Sequence, residues 1–449
     1  RPCRPVLEAP MATPSPAPPQ RSAREVRKVA FASLVGTSIE WYDFYIYGLA
    51  AVTVFAPQFF PQTSTFTGTL AAFATFAVGF IARPVGGVVF GHLGDRIGRK
   101  ATLVTTLVTM GVATTLIGLL PTYATIGVLA PVLLVVLRLV QGFAVGGEWG
   151  GAVLISVEHA PESKRGFYGS FPQLGVPIGL IASNAAFLVL AAAMPAEAFA
   201  SWGWRIPFLA SALLVGVGLY VRLRIEESSE FVAVKRTGSM ALPLASVLRH
   251  HFPQVLCGIA MFTGITGIGY MAATYSIQYG SSQLGLPRAG LIAIVLVVAV
   301  LEVPIILYFS AASDRWGLSR TIVAGSIATA VVAAVFLPLL ATGSLVLIAV
   351  AVAGARWASA PMWGPSAALA AQCYPTEIRY SGASVGYQLG SIVGGALAPI
   401  FTTLLLASPL GIVGASAYLV VITVVTGLGA LAANRLVRAR AGEPARTAG

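Results

Sequence analysis

Long apolar stretches alternate with short polar connections over most of this chain. A helix that crosses the hydrocarbon core of a bilayer needs about 20 mostly apolar residues. Because hydrocarbon offers no partner to free backbone N–H and C=O groups, such stretches are predicted to be helical. We place them at about 29–56, 65–91, 101–120, 124–157, 165–192, 203–224, 250–280, 288–311, 319–340, 343–371, 378–406 and 409–435. The pattern predicts an all-α integral membrane protein with twelve transmembrane helices.

The two halves of the chain repeat one another. The longest internal connection, about 225–249, separates six apolar stretches from six, and similar residues recur in the same order on both sides. The pairs are Asp95 with Asp314, Arg138 with Arg356, Trp149-Gly150 with Trp363-Gly364, 161–165 with 375–379, and Gln173-Leu174-Gly175 with Gln388-Leu389-Gly390. Such order at nearly constant spacing is typical of parallel repeats. We predict two pseudo-symmetric six-helix bundles, 29–224 and 250–436, joined by the loop 225–249.

Charge is scarce and unevenly placed. The chain is 57% hydrophobic and 10% charged, whereas a soluble domain has about 25% charged residues. The net charge of +12 resides mainly in the tails and in alternate loops, including Arg222, so it predicts no nucleic-acid partner. By the positive-inside rule, both termini are predicted in the cytoplasm, with the protein crossing the inner (plasma) membrane several times.

Neither the tails nor the cysteines predict a further folded unit or a metal site. The Pro-, Ala- and Arg-rich segment 1–28 is predicted to be a disordered cytoplasmic tail, and 437–449 a second cytoplasmic tail. Cys3, Cys257 and Cys373 lack paired or metal-ligand spacing, so we predict neither a disulfide nor a bound metal.

Residues 91–100, GHLGDRIGRK, place four charges and three glycines between two apolar stretches. Hydrocarbon cannot solvate such a cluster, so a tight turn at the membrane surface is predicted. A weaker copy at 313–320 departs from the pattern at Trp316 and at Leu318-Ser319, which predicts a looser contact in the second half.

Several motifs resemble those of one transporter family. Residues 91–100 fill the pattern G-x-L-[GA]-D-R-x-G-R-[KR], and Arg138, Gln141 and Gly142 fit R-x-x-Q-G. With the stretches 36–48, 82–87, 141–149, 203–208 and 379–384, the chain resembles the metabolite:H⁺ symporter branch of the major facilitator superfamily. That branch includes permeases for α-ketoglutarate, citrate, shikimate, and proline or betaine. The resemblance implies a cofactor-free transporter in the lipid bilayer, acting as a monomer, which binds H⁺ and a small metabolite between its halves.

The charged turn is a candidate gate. Asp95 lies near a helix end, where it can pair with a base or cap a neighbouring helix. We predict a latch that closes the two halves at the cytoplasmic surface; the alternative is a basic loop that only sets the topology. The candidate gating residues are Gly91, Gly94, Asp95, Arg96, Gly98, Arg99, Lys100, Asp314, Arg315, Glu377 and Arg379.

Carboxylates inside predicted spans are candidates for proton coupling. Acidic groups at mid-membrane depth are costly and usually belong to ion pathways. Glu40 and Asp43 share one helical face near mid-depth, so both are candidates for binding the coupling proton. Asp43 is the first choice and Glu40 the second. Glu148 and Glu302 are further candidates. The alternative is that each carboxylate forms a structural pair with an arginine.

Arginines at matching depth in the two halves indicate an anionic substrate. Arg138 and Arg356 would make bidentate contacts with carboxylates if both faced one cavity; internal ion pairs, such as Arg138 with Asp43, are the alternative. Arg83 would line the cavity or brace the latch. The candidate substrate-binding residues are Arg138, Arg356, Arg83, Trp41, Tyr45, Gln141, Trp363, Tyr387 and Gln388.

The predicted function is proton-coupled import of a small carboxylate. Two alternatives remain within the superfamily: a proton-coupled drug or metabolite exporter, and a betaine- or proline-type osmolyte symporter. An enzyme is not predicted, because the sequence contains no phosphate loop, metal-ligand cluster or nucleophile–base pattern.

Overall fold

The computed structural model describes residues 22–61, 65–224, 247 and 249–442. Within these residues twelve long helices follow one another and no strand occurs. They are α1 (Ala23–Ala50), α2 (Thr65–Ile97), α3 (Arg99–Leu119), α4 (Leu129–His159), α5 (Arg165–Ala193), α6 (Arg205–Leu223), α7 (Phe252–Tyr270), α8 (Arg288–Trp316), α9 (Leu318–Ala341), α10 (Leu345–Gln372), α11 (Arg379–Ser391) and α12 (Gly411–Gly442). Short helical turns extend α1 to Phe59, α7 to Ser282 and α11 to Ala407.

Among the described residues, ten helical segments are long and apolar enough to cross a bilayer. The remaining two long helices are α1, with 28 residues, and α2, with 33. Both have the length of a membrane span, and α1 carries the carboxylates Glu40 and Asp43. The described residues thus contain the twelve helices predicted from the apolar pattern.

Two helices extend into the segments predicted to be tails. α1 begins at Ala23 because Ser22 and Glu25 form a capping box, with the Ser22 hydroxyl accepting from the Glu25 N–H at 3.3 Å. At the other end α12 continues to Gly442, beyond the predicted boundary at 436. The predicted tail residues 1–21 and 443–449, and the loop residues 225–246, lie outside the described residues.

The predicted turn at 91–100 is mostly helical. α2 continues to Ile97 and α3 starts at Arg99, so Gly98 alone connects them. Its φ of 116° is a conformation that glycine adopts without a steric cost. Gly317, with a φ of 95°, connects α8 and α9 in the same way. The sequence departures in the second copy therefore leave this connection unchanged.

Contacts within and between the bundles follow the internal repeat. In the first half α2 packs on α4, and α1 on α5; in the second, α8 packs on α10, and α7 on α11. Glycines allow α2 and α4 to approach closely, since an added Cβ at Gly142 would collide with the carbonyl of Gly79. The two halves meet where α2 packs on α11 and α5 packs on α8.

Candidate functional site

A narrow cavity lies between the two bundles, near the middle of their helices. Its walls come from α1, α2 and α5 of the first half and from α7, α10 and α11 of the second. Tyr270 of α7 also lines it and was not among the predicted residues. Six of the nine predicted substrate-binding residues lie on this wall: Trp41, Tyr45, Arg83, Arg356, Trp363 and Tyr387.

The cavity receives a guanidinium group from each bundle. Arg356 donates from Nε to a Glu302 oxygen at 2.8 Å, and its Nη2 forms an ion pair with the same carboxylate. Arg83 enters from α2, with its Cζ 4.5 Å from the Phe44 ring centroid and 4.6 Å from that of Phe80. The described lining holds these two cations and no carboxylate of its own, because Glu302 lies behind Arg356.

Aromatic rings from both bundles pack together where Tyr387 of α11 lines the cavity. Tyr387 stacks on Trp149 of α4, with ring centroids 3.9 Å apart and an interplanar angle of 5°. Phe262 of α7 meets both rings edge-on. The next residue, Gln388, does not line the cavity as predicted, because its amide donates to the Gly146 carbonyl at 2.9 Å.

Arg138 and Gln141 also lie away from the cavity wall. They line a smaller chamber inside the first bundle, together with Glu40 and Arg83. The Arg138 guanidinium lies 4.1 Å from the Tyr47 ring centroid. Arg83 lines both spaces and so lies at their boundary. The predicted pairing of Arg138 with Arg356 across one cavity is therefore replaced by Arg83 with Arg356.

Asp43 belongs to a buried polar network that joins four helices. One carboxylate oxygen accepts from Thr114 of α3 at 2.8 Å, and the other from Ser211 of α6 at 2.5 Å. The Thr114 hydroxyl in turn accepts from Gln141 at 2.8 Å, and Gln141 accepts from Arg138. Asp43 and Arg138 are thus linked through two side chains, not by the direct pair that the sequence left open.

Glu148 forms a buried ion pair with Arg222 of α6. The Arg222 side chain is 2% exposed and also donates to the Leu103 carbonyl at 2.5 Å. This corrects the prediction that Arg222 faces the cytoplasm. Arg222 lies at the end of a predicted span, and hydropathy does not indicate which way a side chain points there. The sequence alone therefore did not predict its pair with Glu148. Glu148 and Glu302 are both engaged by arginines, as the structural alternative proposed.

Asp95 caps a helix of the opposite bundle. Its carboxylate accepts from the backbone N–H groups of Tyr380 at 3.2 Å and Ser381 at 2.9 Å, and from the Ser381 hydroxyl at 2.7 Å. These groups form the first turn of α11, where a negative charge is stabilised by the helix dipole. Gly91 and Gly94 permit the approach, because an added Cβ would meet the Ser381 backbone and the Tyr380 ring respectively.

Asp314 makes the corresponding contact from the second half. It accepts from the backbone N–H groups of Gly166 at 2.7 Å and Phe167 at 3.0 Å, at the start of α5. Each bundle therefore supplies a carboxylate that caps a helix of the other, at the same end of the molecule. We refer to this end as the Asp95 end.

Glu158 of α4 is a third inter-bundle contact at the Asp95 end, and it was not predicted as a site residue. Its carboxylate lies 3.4 Å from Arg99 of α3 and 3.2 Å from Arg379 of α11. Arg99 also donates to the Thr376 carbonyl at 3.0 Å. The sequence feature that could have indicated this role of Glu158 is an acidic residue at the end of a span, close to basic turns.

The remaining candidate gating residues lie outside these contacts. Lys100 donates to the Leu223 carbonyl of its own bundle at 2.8 Å. Arg96, Arg315 and Glu377 are exposed.

Comparison with known proteins identifies related transporters. Residues 28–250 match the family model described as "Sugar (and other) transporter". The chain is 43% identical over 380 residues to the inner membrane metabolite transport protein YhjE of Escherichia coli (strain K12), covering 83% of this chain and 86% of the relative. It is 41% identical over 389 residues to the shikimate transporter of the same organism, covering 86% and 89%. The proline/betaine transporter of that strain is 34% identical over 422 residues, covering 89% and 82%.

Solved structures share the fold at low sequence identity. The proton:xylose symporter XylE, of the major facilitator superfamily, matches with a TM-score of 0.73 and 16% identity. The match covers 92% of this chain and 95% of that chain.

Proposed function

Because this chain belongs to the metabolite:H⁺ symporter branch of the major facilitator superfamily, we propose that it imports a small organic anion together with protons. The observation that carries the proposal is the placement of Arg83 and Arg356, from opposite bundles, on one cavity wall. Guanidinium groups bind carboxylates bidentately, and two of them facing one space favour an anion over a neutral metabolite.

The proposed cycle is alternating access across the inner membrane. We assign the Asp95 end to the cytoplasm because exposed bases such as Arg96 and Arg315 are concentrated there. Both termini are then cytoplasmic. The caps at Asp95 and Asp314 would hold this side closed while substrate binds, and would release when the two halves rock about the central cavity.

A zwitterion such as betaine or proline is the second candidate. The cavity lining includes the rings of Trp41, Tyr45, Trp363 and Tyr387, and aromatic faces attract quaternary ammonium groups. A relative named as a proline/betaine transporter supports this candidate. The two guanidinium groups favour the anion, because a zwitterion offers them a single carboxylate and adds a cation.

Uptake into proteoliposomes tests the proposal directly. The protein is reconstituted under an imposed proton gradient, inside acid relative to outside in one set and reversed in the other. Radiolabelled succinate, shikimate, betaine and proline are then offered. We expect a carboxylate to accumulate in the vesicles only when the proton gradient is directed inward. The accumulated carboxylate should leave when a protonophore is added. Accumulation that ignores the gradient would refute symport, and accumulation of betaine alone would favour the second candidate.

Two arginine variants test the site. Arg83→Gln and Arg356→Gln are each expected to reduce carboxylate uptake at least tenfold, because each removes one charged hydrogen-bonding partner of about 1.5–3 kcal/mol. The matched control is Arg435→Gln, at an exposed position of α12 away from the cavity. Unchanged uptake in both cavity variants would exclude this anion site.

A further inference from the structure

Glu40 is an intramembrane carboxylate with incomplete hydrogen bonding that forms none of the ion pairs found in the described residues. Its side chain is buried, with 3% exposure, and its Oε2 has no hydrogen-bond partner among the residues that the structure describes. Glu302 also has one oxygen without a hydrogen-bond partner, but it is ion-paired with Arg356. Asp43, one helical turn further along α1, accepts a hydroxyl hydrogen bond at each oxygen. A buried ionised carboxylate without donors is costly. The ionised form of Glu40 is therefore less stabilised by its surroundings than the ionised form of Asp43.

The charged groups around Glu40 come from four helices, and the side chains of Tyr270 of α7 and Tyr387 of α11 face it from the opposite bundle. Glu148 and Arg222 face it from α4 and α6, but they are paired with each other. Asp43 faces it along α1 and is held in its hydroxyl network. Arg138 shares the chamber and contacts Gln141. Arg83 of α2 is the remaining cation facing Glu40, and it forms none of the ion pairs found in the described residues.

Arg83 lies between the inner chamber and the central cavity. It lines the inner chamber beside Glu40 and also lines the central cavity. Its guanidinium lies over the rings of Phe44 and Phe80. Phe80 contacts Tyr270 of the opposite bundle, with ring centroids 5.7 Å apart. Arg83 therefore lies between the carboxylate of Glu40 on one side and the substrate cavity on the other.

We propose that Glu40 binds the coupling proton and that Arg83 communicates its charge to the substrate site. The inference rests on the proposed function and assigns its proton site. Ionised Glu40 attracts Arg83 into the chamber. A proton taken up at the Glu40 carboxylate removes that attraction and leaves Arg83 for the substrate carboxylate in the cavity. After the substrate leaves, Arg83 returns to Glu40 and the proton is released. No bond other than the carboxyl O–H is made or broken.

This coupling predicts a particular pH dependence. Linkage requires that a proton which strengthens anion binding is itself bound more tightly when the anion is present. Affinity for the anion therefore falls as pH rises, by up to about tenfold per pH unit for one linked proton. With Glu40→Gln, whose side chain stays neutral, anion affinity should be high and should no longer vary with pH.

Binding and exchange measurements test the assignment. Shikimate and succinate are titrated into purified protein from pH 5.5 to 8.5. The same variants are then assayed for accumulation and for substrate exchange without a gradient. Glu40→Gln is expected to exchange substrate but to accumulate none, with a flat affinity profile. Asp43→Asn is the matched control on the same helix face, and its binding, at whatever level it persists, should keep the wild-type slope.

Several results would overturn the proposal. A pH slope that survives in Glu40→Gln excludes Glu40, and a slope lost only in Asp43→Asn assigns the proton to Asp43. If Glu40→Gln does not fold, Arg83→Gln decides: residual anion binding that no longer varies with pH supports the coupling through Arg83, while a wild-type slope excludes it. Failure of the proposed function is distinct, because the wild-type protein would then neither bind nor accumulate either carboxylate.

Discussion

Asp95 and Asp314 make the same contact from opposite bundles. Each carboxylate accepts hydrogen bonds from two successive backbone N–H groups in the first turn of a helix in the other half. A hydrogen bond to a charged group contributes about 1.5–3 kcal/mol. The two caps cross the boundary between the bundles in opposite directions, so separating the halves at this end breaks both.

Weakening one cap should open the Asp95 end. Asp95→Asn keeps the shape of the side chain but removes the charge that the α11 N-terminus stabilises. We expect the population open at this end to rise about tenfold, which corresponds to about 1.4 kcal/mol. Spin labels at Arg96→Cys and Glu377→Cys, in a background without native cysteines, report the distance between the bundles.

Asp314→Asn should move the same distance distribution in the same direction, because it caps the equivalent helix. Arg435→Gln, at an exposed position elsewhere, should leave the distribution unchanged. A distribution insensitive to both aspartate variants would show that the caps do not hold the halves together.

The Tyr380 side chain should be a stronger determinant of closure than its hydrogen bond alone. Its ring packs against Gly94, Gly150 and Gly151 of the first bundle, and its hydroxyl donates to the Gly147 carbonyl at 2.5 Å. Tyr380→Phe removes one hydrogen bond, worth about 1 kcal/mol. Gly94→Ala places a methyl group where the ring lies, so we expect a larger opening in the same spin-label measurement. Equal effects would mean that packing in this slot contributes little.

The Glu148–Arg222 pair should stabilise the first bundle without acting in transport. Removing one member of a buried pair leaves an uncompensated charge, which costs about 3–5 kcal/mol. Glu148→Gln and Arg222→Gln should each lower the unfolding temperature in detergent, and the double variant should recover part of the loss. The control is the pair of exposed Glu162 with half-buried Arg165 at 3.8 Å, where Glu162→Gln should cost less than about 1 kcal/mol.

Glu302→Gln should distinguish the two substrate candidates. The change removes the carboxylate that neutralises Arg356 and increases the positive potential of the cavity. We expect affinity for a carboxylate to increase several-fold and affinity for betaine to fall, as measured by competition binding. Gln388→Glu, which also exchanges an amide and a carboxylate, does not test the cavity in this way. The Gln388 side chain lies off the cavity wall and donates to the Gly146 carbonyl. Unchanged affinity for both ligands would indicate that Arg356 does not contact substrate.

The helices could be predicted from sequence because a bilayer admits so few alternatives. Long apolar stretches have to be helical, so their positions follow from hydropathy. The rotation of each helix does not, and it decides where a polar side chain points. Arg138 and Arg83 both lie in predicted spans, but Arg83 reaches the cavity, while Arg138 turns to Tyr47 and Gln141.

Long-range pairings were equally inaccessible to the sequence pattern. Glu158 joins Arg99 and Arg379 only because α3, α4 and α11 converge at one end. The capping role of Asp95 was among the predicted options, since a carboxylate near a helix end has few other uses. The helix that Asp95 caps could not be predicted, because nothing in residues 91–100 specifies α11.

The one-residue connection at Gly98 leaves no slack between α2 and α3. Asp95 lies three residues before it and Arg99 directly after it, so we expect the two side chains to move together. We therefore expect the cap on α11 and the contact of Arg99 with the Thr376 carbonyl to break together. We expect such a switch to populate two end states and few intermediates, and in the second half the one-residue connection at Gly317 follows the cap of Asp314 in the same way.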